Sequence, residues 1–89
     1  METKRAAFIR TWTTLVDCTE NEANLTAWLI TLQSREYDTS EQQDKIKVNL
    51  ARVRQTREKA QAVLDEFQKI EPILYYTWAE EQLKKVKRE

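Results

Sequence analysis

The sequence predicts an all-α chain, and three observations carry that prediction: glycine is absent, proline occurs once, and apolar residues recur at three- and four-residue steps. Tight β-turns depend on glycine and its neighbours in turn chemistry, so a sheet is not expected. The chain is 40% hydrophobic and 34% charged, with a mean hydropathy of −0.77. That balance describes helices with one apolar stripe and a solvated opposite face. A chain of 89 residues buries only about 60–65% of its unfolded surface, so the core must be narrow. We expect residues 1–89 to form a single extended, antiparallel three-helix coiled-coil bundle, with helices over about residues 4–35, 40–70 and 72–88.

In the first segment Phe8, Trp12, Leu15 and Val16 share one face, and Leu25, Trp28, Leu29 and Leu32 form a second cluster. At about 100° per residue, Trp12 and Trp28 point roughly 160° apart. Two explanations fit. The helix breaks within residues 17–24, where Thr19 and Glu22 have capping-box spacing, or it continues and packs on different neighbours along its length. Continuity is favoured, because neither Gly nor Pro marks a stop.

A turn is expected at Glu36–Ser40, with Ser40 and Gln43 as a capping box and Glu41 complementing the helix dipole. Beyond it Ile46, Leu50, Val53, Arg57, Ala60, Leu64, Phe67, Glu71, Leu74 and Trp78 follow at alternating four- and three-residue steps. This is heptad spacing, which implies knobs-into-holes packing. Pro72 interrupts the helix without shifting that register. If the chain turns there, Pro72 opens a third helix with Ile73, Tyr76, Leu83 and Val86 available for packing. If it only kinks, the molecule is a two-helix hairpin completed by oligomerisation. The turn is favoured, because the first helical position is where proline fits best.

Composition excludes several classes of function. No run approaches the roughly 20 apolar residues of a membrane span, and the first residues lack the apolar core of a secretory signal. A cytoplasmic protein is expected, with the basic stretch Lys84–Arg88 raising a nuclear alternative. Cations near a helix end also offset the macrodipole, and that reading is preferred. Residues 3–16 lack acids, as a mitochondrial presequence does, but Glu2 and the need for Trp12 in the core count against one. Asn24-Leu25-Thr26 fits a glycosylation sequon, without consequence in a cytoplasmic protein. Cys18 is the only cysteine and histidine is absent. Neither an internal disulfide nor a zinc site is therefore expected. There is no Gly-rich phosphate loop, and no Ser or Cys with a plausible base. Glu20, Glu22, Glu80 and Glu81 are read as solvated surface acids. The expectation is a non-enzymatic protein with no cofactor and no small-molecule substrate.

Charge is balanced overall but uneven along the chain. Residues 1–44 carry four basic and eight acidic side chains, and residues 45–89 carry eleven and seven. Complementary halves of one folded hairpin explain this better than head-to-tail self-association. Lys45, Lys47, Arg52, Arg54, Arg57 and Lys59 face a single acid, Glu58, within residues 45–59. They form a candidate basic partner surface. Binding of nucleic acid or anionic lipid there is the weakest reading, because no aromatics interleave to stack on bases. Arg57 falls on the seam, where it can snorkel outward or pair with a carboxylate, and snorkelling is preferred.

The core and interface anchors are expected to be Phe8, Trp12, Leu15, Leu25, Trp28, Leu32, Ile46, Leu50, Val53, Leu64, Phe67, Leu74 and Trp78. Any of the three tryptophans left exposed would instead mark a binding hot spot.

Leu25-Thr26-Ala27-Trp28-Leu29 resembles the first-helix signature of spectrin repeats, the three-helix coiled coils of spectrin, dystrophin, nesprins and plakins. Ser40-Glu41-Gln42-Gln43 leading to Ala60-x-x-Val63-Leu64 is similar to their second helix, and Leu74-x-x-x-Trp78 to their third. Phe8-x-x-x-Trp12-x-x-Leu15 has the same shape, as if a preceding third helix ran into this first one. The seven residues between Ile70 and Trp78 are fewer than such repeats have there. The resemblance implies a spacer or scaffold that offers helical surfaces to cytoskeletal or adaptor proteins. The alternative is a small adaptor or assembly subunit completed by itself or by another chain.

Overall fold

The chain forms three α-helices, α1 (Lys4–Gln33), α2 (Ser40–Ile70) and α3 (Pro72–Val86), in a computed structural model that describes residues 2–86. No strand occurs among the described residues. The third helix was expected to reach residue 88; residues 87 and 88 lie outside the described ones, as does the Val86 side chain.

Thr3 starts α1, its hydroxyl accepting the Ala6 N–H at 3.1 Å. The helix then runs unbroken through residues 17–24. Thr19 does not cap a new helix; its hydroxyl donates to the Leu15 carbonyl at 2.8 Å, a bond available only inside a continuous helix. Its last residue is Gln33, two short of the expected Arg35.

The connection to α2 depends on Thr39, which is only 4% exposed. Its hydroxyl donates to the Leu32 carbonyl at 2.9 Å and accepts the Gln43 side-chain amide at 2.8 Å. It thereby ties one of the orphan carbonyls ending α1 to the first turn of α2. Gln43 therefore reaches back to Thr39, and the expected Ser40–Gln43 capping box is corrected by one residue. Ser40 turns instead to Asp38, whose Oδ1 accepts both the Ser40 hydroxyl and, at 3.0 Å, its N–H. Those two bonds, the hydroxyl first, hold the exposed Asp38 carboxyl below its ordinary value of 3.8.

The chain turns at Pro72. Glu71 leaves the helical region with φ −134° and ψ 70°, its N–H closing α2 on the Phe67 carbonyl at 2.8 Å. Pro72 then opens α3, where it has no amide hydrogen to lose. The rings of Phe67 and Trp78 stack, 5.5 Å between centroids and 16° between planes, and Gln68 donates to the Tyr76 hydroxyl at 2.8 Å. Such contacts across the proline require a reversal, so the kinked two-helix hairpin does not form.

Two aggregates of apolar side chains fill the interior. Phe8, Leu64 and Ala79 centre the first, with Ile9, Trp12, Leu15, Phe67, Tyr75 and Trp78 packed around them. Leu32, Ile46 and Leu50 centre the second, flanked by Leu25 and Leu29. The first draws on all three helices and the second on α1 and α2 alone. At 1.5 Å per residue α3 is about 22 Å long against about 45 Å for α1. Its contacts with α1 include Arg5–Glu81 and the rings of Phe8 with Tyr75 and Trp78, and Lys4 pairs with Glu71 at the turn just before it. The molecule measures 53 × 28 × 23 Å with a radius of gyration of 16.9 Å, where a compact chain of this length would have roughly 12 Å.

Candidate protein-binding surface

Of the expected anchors, Phe8, Leu32, Ile46, Leu50 and Leu64 are buried, and Trp12, Leu15, Leu25, Val53, Phe67 and Trp78 are half-buried. Two are exposed. Leu74 is 36% and Trp28 63% accessible.

The reason for Trp28 lies in the course of the α1 seam. Its buried and half-buried positions include Phe8, Thr11, Leu15, Cys18, Glu22, Leu25, Leu29 and Leu32, again at alternating three- and four-residue steps. Thr11, Cys18 and Glu22 hold seam positions that an apolar pattern does not flag. Trp28 sits beside the seam, so the opposed faces of Trp12 and Trp28 arise because one packs near α3 and the other meets solvent. Leu74 is exposed because the register restarts at Pro72. The packed residues of α3 are Tyr75, Trp78, Ala79 and Gln82, whereas Ile73, Tyr76 and Leu83 are 81%, 60% and 52% exposed.

The six residues of the candidate basic surface divide. Glu22 receives two of them, with Arg57 at 2.6 Å from Oε2 and Arg54 at 3.2 Å from Oε1. Arg57 therefore pairs across the seam instead of simply snorkelling. The Arg54 contact is a hydrogen bond, whereas the Arg57 contact is ionic without hydrogen-bond alignment. Lys45, Arg52 and Lys59 lie seven residues apart and so form one exposed row along α2, which Glu66 ends. Lys45 pairs with Glu41 at 3.9 Å, and Arg52 and Lys59 have no salt bridge among the described residues. Lys47 is exposed on a different face of the helix.

Beside that row runs a groove between α1 and α2. Its best-formed part, about 360 Å³, is walled by Ala7, Phe8, Val63, Leu64, Phe67 and Ile70. An adjoining hollow lies at Thr14 and Thr56, and a separate one follows along the same two helices at Asn21, Leu25, Asn49 and Arg52. Ala7, Thr14 and Asn21 repeat at seven-residue steps on its α1 edge, and Trp28 is the next position in that row. By helical rotation this face of α1 is opposite the one bearing Arg5, Trp12 and Val16, which meets α3. Val63 and Ile70, 56% and 68% exposed, put apolar surface at one end of the groove, and Trp28 does so near the other.

No group of three His, Cys, Asp or Glu side chains able to hold a metal ion comes together among the described residues. No described helix is long and apolar enough to cross a membrane. Cys18 is buried and unpaired with another cysteine. No family model matches the chain, and neither a curated protein nor a solved structure matches it.

Proposed function

We propose that the chain is a non-enzymatic scaffold module, an antiparallel coiled-coil bundle of spectrin-repeat type, that binds protein partners through its helical surfaces. The observation that carries this reading is Trp28, an indole 63% exposed on a helix whose neighbouring Leu25, Leu29 and Leu32 are half-buried or buried. Folding leaves most of this large apolar side chain in solvent. Tryptophan is also the residue type most enriched at interface hot spots. Cytoskeletal or adaptor proteins are the partner class that the spectrin-repeat resemblance implies.

A second reading is favoured by the shortness of α3. Near Leu32 and Leu50 the core is two helices thick, and an assembly subunit would complete it with another copy. Static light scattering distinguishes the two. A monomer across a wide concentration range is expected for the scaffold module; an obligate dimer would transfer the exposed surface to self-assembly.

A further inference from the structure

Resting on that protein-binding reading, we infer that the groove between α1 and α2, away from α3, is the docking site for one amphipathic helix of a partner protein, and that this helix is acidic along its flanks. The groove follows the rows Ala7–Thr14–Asn21–Trp28 on α1 and Asn49–Thr56–Val63–Ile70 on α2, each at seven-residue steps. Residues on a straight helical path recur at that interval only if the path follows the left-handed twist of two packed helices. A third helix laid along both rows meets the same spacing, and over 21 residues it spans roughly 31 Å.

The apolar contacts come from Val63 and Ile70 beside Phe8 and Phe67 at one end, and from the exposed Trp28, which is next in the α1 row one helical heptad beyond Asn21 at the other. The edges select the sign of charge. Arg10, Arg52 and Lys59 line the groove. Arg10 already meets Glu2 at 2.9 Å, whereas Arg52 and Lys59 have no carboxylate within salt-bridge distance among the described residues. Glu71, the one acid on the walls among the described residues, is held by Lys4 at 3.2 Å. An incoming helix with glutamates on its flanks gains these two cations, and one with lysines meets them as like charges. A nucleic acid would also favour cations, but an apolar floor with Val63 and Ile70 exposed gives a phosphate backbone nothing to contact.

Two fluorescein-labelled 21-residue peptides test this, with leucine at heptad a and d positions and either glutamate or lysine at the flanking e and g positions. Fluorescence anisotropy with the full chain is expected to show the glutamate peptide binding at least about tenfold tighter than the lysine peptide, with the difference shrinking at high salt. Val63→Glu and Ile70→Glu lie at exposed positions and should preserve helicity by circular dichroism while weakening the glutamate peptide by about tenfold or more. Trp28→Ala should weaken it about thirtyfold. Lys59→Glu should weaken it and flatten the salt dependence. Equal binding of the two peptides, or binding unchanged in the Val63 and Ile70 variants, overturns the groove assignment. If binding is instead lost in Ile30→Glu, on another face of α1, the partner docks elsewhere and the protein-binding reading stands. If neither peptide binds and the chain is monomeric, both proposals fall. A dimer dispersed by Val63→Glu overturns the hetero-partner in favour of a second copy.

Discussion

Glu22 and Arg57 face each other across the seam of α1 and α2, the carboxylate Oε2 2.6 Å from a guanidinium nitrogen, with Arg54 on the other oxygen. The pair stands between the aromatic aggregate around Phe8 and the aliphatic one around Leu32. The aliphatic aggregate alone would tolerate a slip of one helix along the other more readily, because its side chains are of similar size and kind. A carboxylate that must meet two arginines is less tolerant.

Removing one member should therefore cost more than removing both. Glu22→Leu is predicted to destabilise by about 1–2 kcal/mol, since it leaves two arginines facing apolar surface, with the figure held down by their partial exposure. Combining it with Arg57→Leu should restore the midpoint of urea unfolding to that of the parent or above. A double variant weaker than Glu22→Leu alone would mean the pair is a net source of stability.

Phe8 and Trp28 should behave oppositely. Phe8 is 4% exposed and its ring meets Trp12, Phe67, Tyr75 and Trp78 at centroid distances of 5.5–5.8 Å, so Phe8→Ala is predicted to cost about 3–5 kcal/mol. Trp28→Ala should change stability by no more than about 0.5 kcal/mol, the usual range for a surface substitution. Urea denaturation followed by far-ultraviolet circular dichroism checks both, and comparable losses would place Trp28 in the core.

Thr39→Val keeps the shape of the side chain and deletes its hydroxyl. The Leu32 carbonyl and the Gln43 amide then lose the partner they share. A loss of about 1–2 kcal/mol is expected. Ser40→Ala, whose hydroxyl serves only the exposed Asp38, should cost clearly less, and the reverse order would return the helix cap to Ser40.

Asp38 provides a pH signature. Its carboxyl titrates below 3.8 in the folded chain, through the Ser40 hydroxyl and then the Ser40 N–H. A depressed folded value means the stabilisation is fully present above the unfolded value and is lost as pH falls through the folded one. An NMR titration should find the Asp38 midpoint below the ordinary value and rising toward it in Ser40→Ala. A midpoint unmoved by that substitution would remove the hydroxyl as the main cause.

How much of this can be read from sequence differs by helix. In α2 every seam position from Ile46 to Phe67 carries an apolar residue except Arg57, so that heptad can be read directly and matches buried and half-buried positions. In α1 the seam passes through Thr11, Cys18 and Glu22. Hydrophobicity therefore points to Trp28 as a core candidate, yet it is exposed, because a large apolar side chain is not bound to be inside. Past Pro72 the sequence register runs on through Leu74, but the turn rotates α3 so that Tyr75 and Ala79 face inward. The groove was not visible in the sequence at all. Its edges are rows of small or polar residues, and only the packing of α1 on α2 brings Ala7, Val63 and Ile70 to one surface.

The free chain holds Trp28 out in solvent. A variant with Trp12→Phe and Trp78→Phe leaves Trp28 as the only indole, and acrylamide quenching of its fluorescence reads that exposure directly. Quenching close to that of free N-acetyltryptophanamide in the folded monomer is the predicted result. Strong shielding of Trp28 in a chain shown to be monomeric would place the indole inside the bundle and remove it as a docking contact.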